Sequence, residues 1–414
     1  MKQKFFSTII IIIIAFSLSS VFFVGAKISS SPMKNFPQSE NKLIIYTYDY
    51  FFGLTNETLS GEVYERLFGA FETKYSVDIE IRFFDGARNI LLTALQEWRT
   101  GTRTADLLIG LDNIVVQEAK KAGILEKIDP SELENITKIR DDLISNFDPE
   151  YYGIAYDFGP IAFIYDSDRI NITDLKFEAF YDKDLSSKLV VEDPTQSTTG
   201  IAFLLWQIGI YEKLLNKSWK EWWFNVRDNI VVAKSWGDAY FNYFLNEEAG
   251  RPIVVSYLTS PVYHYLYDNT TRYKPMLTKY QDKWYTWFQI QGIGIVKNSP
   301  MKNIALKFID WMLSDEIQEM IISNDIMLPA NENALNNISA DLLEVMGFDI
   351  SEIEPVNNLI SVDEIYENIG NWLNNWKEIM GPGIEFMWLV VISTAIIIIV
   401  AVIVLVKVEL RKKK

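Results

Sequence analysis

The residues of this chain that could do chemistry lie where predicted strands end and polar or aromatic side chains begin. Tyr48 and Asp49 follow the first apolar run, and Asp112 and Asn113 follow the third. Small-molecule sites of α/β proteins lie beside the carboxyl ends of strands. These four residues are therefore candidates for a ligand-binding site.

Another strand exit leads into an apolar helix that begins with hydroxyl side chains. Its first residues are Ser197, Thr198, Thr199 and Gly200. Free backbone N–H groups and the helix dipole at such an end favour an anion such as phosphate. Capping of the helix by Ser or Thr is the alternative, and on this motif alone it is the favoured one.

The remaining candidates are mostly aromatic and lie in two later segments. They are Trp236, Tyr240, Tyr257, Ser260, Tyr263 and His264. Aromatic faces can enclose a heteroaromatic ring or a cation. Because 14% of the chain is aromatic, each of these rings taken singly is more often a packing residue.

Catalytic and metal chemistry have little support in the sequence. The chain has no Cys and one His, which excludes a disulfide scaffold and a zinc site built from Cys or from Cys and His. No phosphate-binding loop, HExxH, GxSxG or EF-hand motif occurs. A Ser-His-Asp enzyme would have to use His264. We therefore expect no catalytic residue, no metal ligand and no cofactor.

The elements that must position these residues alternate between strand and helix. Apolar strand patterns at 42–48, 77–83 and 105–110 are separated by helical periodicity at 63–74 and 87–98. The alternation resumes later, with strands predicted at 161–165, 188–191 and 252–257 and helices at 200–215, 239–245 and 302–313. This βαβ pattern predicts an α/β fold with two lobes.

The two ends of the chain differ from its middle. Residues 1–27 have a basic start, an isoleucine run and a small-residue exit, which is typical of a signal peptide or, alternatively, of an N-terminal anchor. Residues 28–41 have the composition of a linker. The apolar stretch 386–406 is long enough for a transmembrane helix, and the basic tail 407–414 is predicted to be cytoplasmic.

The charge of the chain is strongly acidic. Its 39 basic and 55 acidic side chains give a net charge of -16, and residues 28–385 retain 31 basic and 54 acidic side chains, a net charge of -23. Such a surface repels nucleic acid and attracts cations. Solubility in a salty or hot habitat explains the same charge equally well.

Taken in order, the strand exits and aromatic segments resemble the thiamine-binding members of the periplasmic substrate-binding proteins of ABC transporters. The resemblance covers residues 43–380, and its matching stretches are 46–49, 105–113, 157–159, 162–166, 193–200, 204–206, 236–240 and 256–264. It implies a two-lobed type II periplasmic-binding-protein fold with the ligand in the cleft between lobes. Lobe 1 would comprise 42–154 and 291–380, and lobe 2 would comprise 155–290. The chain would cross between lobes near 155–157 and 289–292.

The resemblance also implies a role for the candidate residues. The protein would be a cell-surface receptor of an ABC importer that captures thiamine or a thiamine phosphate and delivers it to a permease. The rings of the ligand would be enclosed by Tyr48, Trp236, Tyr257 and Tyr263. Polar partners would come from Asp49, Asp112 and Asn113. Residues 197–200 would meet the hydroxyethyl or phosphate end.

Two departures from the family pattern leave the ligand open. Before Pro329 the family places a tryptophan that lines the cleft, whereas residues 325–327 of this chain are Asp-Ile-Met. A tryptophan that follows the first strand is also missing, and Phe51 and Phe52 stand there instead. Specificity for a thiamine precursor or another cationic heterocycle is therefore an alternative.

Other functions compete with this interpretation. Capture of ferric iron or an oxyanion is the main rival among binding proteins, and a purely structural surface protein is another. An exported thiamine-degrading enzyme is disfavoured because its expected nucleophile, a Cys, is absent. We expect a monomer with an extracellular binding domain and a single C-terminal membrane span. Its partners would be a permease and the lipid bilayer, without nucleic acid. Such tethering suits a cell with one membrane, as in archaea.

Overall fold

The computed structural model describes residues 41–55 and 59–381. The predicted signal segment 1–27, most of the linker 28–41, the predicted transmembrane helix 386–406 and the basic tail 407–414 lie outside the described residues. Within the described part of the chain, none of the helices combines the length and apolar character needed to cross a bilayer.

Thirteen strands are present in the described residues. They are β1 Lys42–Tyr48, β2 Asp78–Phe84, β3 Leu107–Asp112, β4 Ile154–Asp166, β5 Leu189–Glu192, β6 Val231–Ala233, β7 Ile253–Tyr257, β8 Tyr273–Met276, β9 Thr278–Tyr280, β10 Lys283–Thr286, β11 Phe288–Ile295, β12 Leu328–Pro329 and β13 Ile353–Pro355.

The α-helices connect and cover these strands. They are α1 Glu62–Tyr64, α2 Ala70–Tyr75, α3 Gly86–Thr100, α4 Val115–Lys121, α5 Asp141–Phe147, α6 Lys183–Ser186, α7 Thr198–Ile208, α8 Lys220–Val226, α9 Ser260–Tyr267, α10 Lys302–Met312, α11 Asp315–Asn324, α12 Glu332–Asn336, α13 Ala340–Met346 and α14 Val362–Met380. Three π-helical segments occur in addition, at Glu65–Gly69, Gly209–Leu214 and Asp238–Phe244.

The main sheet has the strand order β2-β1-β3-β11-β4-β7-β5-β6, and β12 and β8 also pair with β4. β1 is parallel to β2 and β3, and β5 is parallel to β6 and β7. Every residue of β3, β4 and β5 is buried, as expected for strands covered on both faces. The predicted α/β class is confirmed.

Strands β4 and β11 join the two ends of this sheet. β4 pairs with β11 and β12 through its first half and with β7 and β8 through its second half. The change occurs between Pro160, which lies opposite Phe288, and Ile161, which lies opposite Tyr257. The ladders of β11 are irregular on both sides at Gly292. The crossings expected near 155–157 and 289–292 lie on these two strands, while the lobe boundaries stay a prediction.

Helix α3 shows how the periodicity of the sequence becomes structure. Its buried residues recur at spacings of three and four, and they are Ala87, Ile90, Leu91, Ala94 and Leu95. That spacing places them on one helix face. The helix ends at Gly101, which adopts a left-handed conformation that glycine tolerates well. The predicted helix 87–98 therefore lies within α3.

The closing helix α14 packs against the aromatic core beneath α7 and α8. The rings of Trp376 and Trp223 lie 5.6 Å apart, and a guanidinium nitrogen of Arg227 donates to the carbonyl of Ile379 at 2.8 Å. Trp222 in the same core donates to the carbonyl of Phe177 at 2.7 Å. The tryptophans of α8 and α14 thus serve packing.

Candidate ligand-binding site

The hydroxyl group of Tyr257, at the end of β7, joins three elements. It donates to Oε1 of Gln289 on β11 at 3.2 Å and lies 3.2 Å from the hydroxyl of Thr199 in the first turn of α7. Nε2 of Gln289 in turn donates to the hydroxyl of Thr198 at 3.5 Å. The start of α7 is therefore tied to a crossing strand through hydroxyl and amide groups.

A glycine lets the ring of Tyr257 approach the other crossing strand. A Cβ atom on Gly159 of β4 would lie 2.6 Å from the Tyr257 ring and 2.7 Å from the methyl group of Met327. Both side chains therefore occupy the space that a larger residue would take. Met327 belongs to the segment in which the family tryptophan is missing, and it is buried against β4.

Tyr48 occupies a similar position at the end of β1. Its ring packs on Gly110, whose φ of +86° is in the region that favours glycine. Its hydroxyl donates to Oδ2 of Asp325 at 2.6 Å and lies 3.1 Å from the hydroxyl of Tyr156. Oδ1 of Asp325 accepts the backbone N–H of Phe52 at 3.0 Å. One carboxylate thus fixes the chain after β1.

The segment that carries Asp325 is strained. Ile326 has a φ of 56°, which is unfavourable for a β-branched residue. Phe52, whose N–H group binds Asp325, has a φ of 52°. Strained backbone of this kind persists where surrounding contacts hold it, and it is concentrated at functional sites.

Asp112 both caps a helix and leaves one oxygen free. Its Oδ1 accepts the N–H groups of Ile114 and Val115 at 2.9 and 2.8 Å, at the start of α4. Its buried Oδ2 has no hydrogen-bond partner among the described residues. Burial raises the pKa of Asp112 to about 6.

Two further buried acids surround the same region. Neither carboxylate oxygen of Glu192, at the end of β5, accepts a hydrogen bond from another described residue. Burial raises the pKa of Glu192 well above its usual range. Burial and the charge of Asp325 do the same to the pKa of Asp157 on β4. Burial and the charges of Glu192, Asp112 and Asp157 also raise the pKa of Tyr257.

Trp236 is anchored beside the site. Its indole N–H donates to the hydroxyl of Ser256 at 2.8 Å, which lies 2.7 Å from the hydroxyl of Ser260. The Ser260 hydroxyl also accepts the backbone N–H of Tyr257 at 3.2 Å. Ser260 therefore connects Trp236 to Tyr257 and orients both.

The other candidates of the two aromatic segments are Tyr240, Tyr263 and His264. Tyr240 stacks on Trp236 at 5.0 Å, and its hydroxyl lies 3.0 Å from Nε2 of the buried His264. Nδ1 of His264 lies 2.6 Å from Asp268, and burial lowers the pKa of His264. The hydrogen bond between Tyr240 and His264 gives both residues a packing role, while their part in ligand binding stays a prediction. Tyr263 is 47% exposed on α9.

The remaining candidates differ in their surroundings. Asp49 is exposed. Asn113 donates to the carbonyl of Phe288 at 3.2 Å, and its buried Oδ1 has no partner among the described residues. Ser197 caps α7 by accepting the N–H of Gly200 at 3.4 Å. A Cβ atom on Gly200 would lie 2.8 Å from the carbonyl oxygen of Glu192, so Gly200 allows a close backbone approach.

The structure adds three residues that the candidate set lacked. The sequence indicated Gln289 only as a crossing position, and Asp157 only as a crossing position and part of a matching stretch. Glu192 ends an otherwise apolar strand, and that pattern is the signal that could have identified it. Their side chains gather around Tyr257 because β4, β5, β7 and β11 are neighbours in one sheet.

Comparison with known proteins identifies relatives over most of the chain. The thiamine-binding periplasmic protein of Brucella abortus biovar 1 (strain 9-941) is 27% identical over 339 residues, which cover 82% of this chain and 92% of that protein. The protein of the same name from Haemophilus influenzae is 26% identical over 344 residues, with 82% and 92% covered. These relatives are binding proteins, which confirms the expectation that the chain is not an enzyme.

Solved structures show the same fold. A periplasmic thiamin binding protein superposes with a TM-score of 0.65 at 20% identity, covering 85% of this chain and 100% of that one. The apo ferric ion-binding protein A of Pasteurella haemolytica gives a TM-score of 0.62 at 17% identity, with 82% and 98% covered. The type II periplasmic-binding-protein fold is thereby confirmed. The profile of the bacterial extracellular solute-binding proteins matches residues 55–319, and the chain belongs to this family.

Proposed function

We propose that this protein is the substrate-binding receptor of an ABC importer and that it captures thiamine or a thiamine phosphate. The observation that carries the proposal is the surroundings of Tyr257. Its hydroxyl joins β7, β11 and α7. Burial of Tyr257, together with the charges of the buried acids Glu192, Asp112 and Asp157, raises its pKa. Buried acids without a basic partner favour a cationic ligand such as a thiazolium ring. The names of the relatives point to the same ligand.

In this proposal the aromatic residues enclose the rings of thiamine. Tyr48 and Tyr257 each end a strand, and Trp236 is held near Tyr257 through Ser256 and Ser260. Faces of tyrosine and tryptophan attract cations and heteroaromatic rings. The aminopyrimidine and thiazolium rings would lie among these three side chains.

The polar end of the ligand is assigned to the first turn of α7. Thr198 and Thr199 place hydroxyl groups there, beside the amide of Gln289. These groups can donate to the hydroxyethyl oxygen of thiamine or to a phosphate. Asp112 and Asn113 each retain a buried oxygen that can accept from the aminopyrimidine.

Ligand binding would close the two lobes around the crossing strands. Lobe 1 is taken as 42–154 and 291–380, and lobe 2 as 155–290. The crossing strand β11 departs from regular strand pairing at Gly292. A ligand that contacts both lobes favours the closed state because it binds that state more tightly.

The protein is proposed to act as a monomer at the outer face of the cell membrane. Residues 1–27 would direct export as a signal peptide. Residues 386–406 would anchor the chain, with the basic tail in the cytoplasm. Tethering keeps the receptor at a high effective concentration beside its permease.

Calorimetric titration of the purified full chain with thiamine, thiamine monophosphate and thiamine pyrophosphate tests the proposal. Saturable binding of one thiamine compound per chain is expected, together with a change in tryptophan fluorescence. Ferric iron and inorganic phosphate serve as comparison ligands for the rival functions. A folded protein that binds iron or phosphate and none of the thiamine compounds would contradict the proposed function.

A further inference from the structure

Glu192 lies directly beneath the turn that begins α7. It is the last residue of β5, and its carbonyl oxygen would lie 2.8 Å from a Cβ atom on Gly200. The backbone of Glu192 therefore touches the first turn of the helix, where the candidate anion-binding groups lie. The residue is fully buried.

Neither oxygen of the buried Glu192 carboxylate has a hydrogen-bond partner among the described residues. Its charge acts on Tyr257, together with those of Asp112 and Asp157. No salt bridge within residues 41–55 and 59–381 includes Glu192 or either of these aspartates. The basic residue that acts on Asp112 is Arg88, and it pairs with Glu118 on the surface.

A buried carboxylate in this position is stable as an anion only when a positive charge lies beside it. A thiazolium ring provides that charge permanently, because a quaternary nitrogen has no proton to lose. A thiamine phosphate keeps this cation, but its phosphate group at the start of α7 would add one to two negative charges close to Glu192. Like charges in a buried site oppose each other strongly.

We propose that Glu192 selects the unphosphorylated organic cation over its phosphate esters at this site. The inference rests on the proposed function and narrows it from thiamine or a thiamine phosphate to thiamine itself. Thr198 and Thr199 then meet the neutral hydroxyethyl group, and Glu192 acts as the specificity-determining residue.

The dissociation constants of the full chain for thiamine and thiamine monophosphate test this selection. Thiamine is expected to bind at least about tenfold more tightly, which corresponds to about 1.4 kcal/mol. The Glu192→Gln variant keeps the size of the side chain and removes its charge. The ratio of the dissociation constant for the monophosphate to that for thiamine should therefore fall towards one. Glu248→Gln is the matched control, because Glu248 is exposed and the ratio should stay unchanged.

Proton release provides a second measurement that needs no variant. Titrations of the wild-type protein at pH 7 in two buffers of different ionisation enthalpy give the number of protons released. Thiamine should release more protons than the monophosphate. Both carry the thiazolium cation, but the negative phosphate of the monophosphate favours the protonated form of Glu192 and so opposes its ionisation. In Glu192→Gln this difference should disappear.

The possible outcomes separate this inference from the proposed function. Equal or tighter binding of the monophosphate by the wild-type chain would overturn the role of Glu192 and leave the receptor assignment standing. A tenfold preference that survives in Glu192→Gln would do the same. If a folded chain binds neither compound, both the receptor assignment and this inference are wrong.

Discussion

Tyr257 combines a packing contact with a proposed role in ligand binding. Its ring fills the space above Gly159, while its hydroxyl forms hydrogen bonds with Thr199 and Gln289. The ring and the hydroxyl can therefore be tested separately. The acids nearby lack basic partners among the described residues, so a change in their charge should alter both binding and folding stability.

The Tyr257→Phe variant should lower thiamine affinity by about tenfold or more and lower the free energy of unfolding by about 1–2 kcal/mol. The ring still packs on Gly159, but the hydroxyl that aligns Thr199 and Gln289 is lost, at about 1 kcal/mol for each hydrogen bond. Calorimetric titration and thermal unfolding measure the two effects. Tyr267→Phe is the control, because its exposed hydroxyl reaches only the carbonyl of Ser323. If Tyr257 were purely structural, its variant would lose stability while the folded protein kept its thiamine affinity.

Thiamine affinity should rise between about pH 5 and about pH 6.5 because of Asp112. Burial raises the pKa of this carboxyl to about 6, so it is protonated at the acidic end of that range. A bound cation favours the ionised carboxylate, so binding at a pH below this pKa must release the proton of Asp112. The release lowers thiamine affinity by up to about tenfold for each pH unit below the pKa. Burial raises the pKa of Asp112 in the folded protein above its value in the unfolded chain. The ligand-free protein therefore loses folding stability as the pH rises from about 4 to about 6.

Comparison of wild type with Asp112→Asn isolates this effect. Asparagine can still accept the N–H groups of Ile114 and Val115, so the start of α4 should remain capped. Affinity measured by titration should depend less on pH in the variant over this range. An unchanged pH profile would place Asp112 away from the bound cation.

Among the elements, the crossing strands and α7 determine the shape of the site. β4 brings Asp157 and Gly159 into the sheet, and β11 contributes Gln289. The first turn of α7 rests on the end of β5 through Gly200. Small residues in these strands are therefore as important for the site as its polar groups.

The Gly159→Ala variant should weaken both folding and binding. A methyl group would lie 2.6 Å from the Tyr257 ring and 2.7 Å from Met327, so one of them must move. Overpacking of this kind costs about 1–3 kcal/mol of folding free energy. Denaturant unfolding and thiamine titration check the two losses.

Gly370→Ala provides the matched control for Gly159→Ala. Nothing lies within 4 Å of a Cβ atom at Gly370, which is inside α14. Alanine there should stabilise the protein by about 0.5–1 kcal/mol without affecting the ligand. If Gly159→Ala behaves in the same way, Tyr257 and Met327 can adjust more freely than their contacts indicate.

For the whole molecule, the proposed anchor determines where the receptor works. A chain that lacks residues 382–414 should appear in the culture medium of a cell with one membrane, while the full chain should remain with the membrane fraction. Cell fractionation followed by immunodetection measures the distribution. Thiamine affinity of the released form should equal that of the full chain. Retention of the shortened chain at the membrane would instead indicate an anchor at residues 1–27.

Several parts of the fold and site followed from the sequence alone. Apolar runs such as 105–110 and the periodicity of α3 identify strands and helices, because burial repeats with the geometry of each element. Strand exits at Tyr48, Asp112 and Tyr257 also indicated the candidate site, and ligand binding there stays a prediction. The family resemblance supplied the fold class, since it depends on the order of many segments.

Only the tertiary structure decided which of the candidates lie together. Tyr240 and His264 share a sequence neighbourhood with Trp236 and Tyr257, yet they bond to each other inside the protein. Glu192 and Gln289 are about a hundred residues apart. The pairing of β5 with β7 brings Glu192 close to Tyr257, and the pairing of β4 with β7 and β11 brings Gln289 there. Such contacts depend on sheet order and on the space left by Gly159, and local sequence patterns carry no information about either.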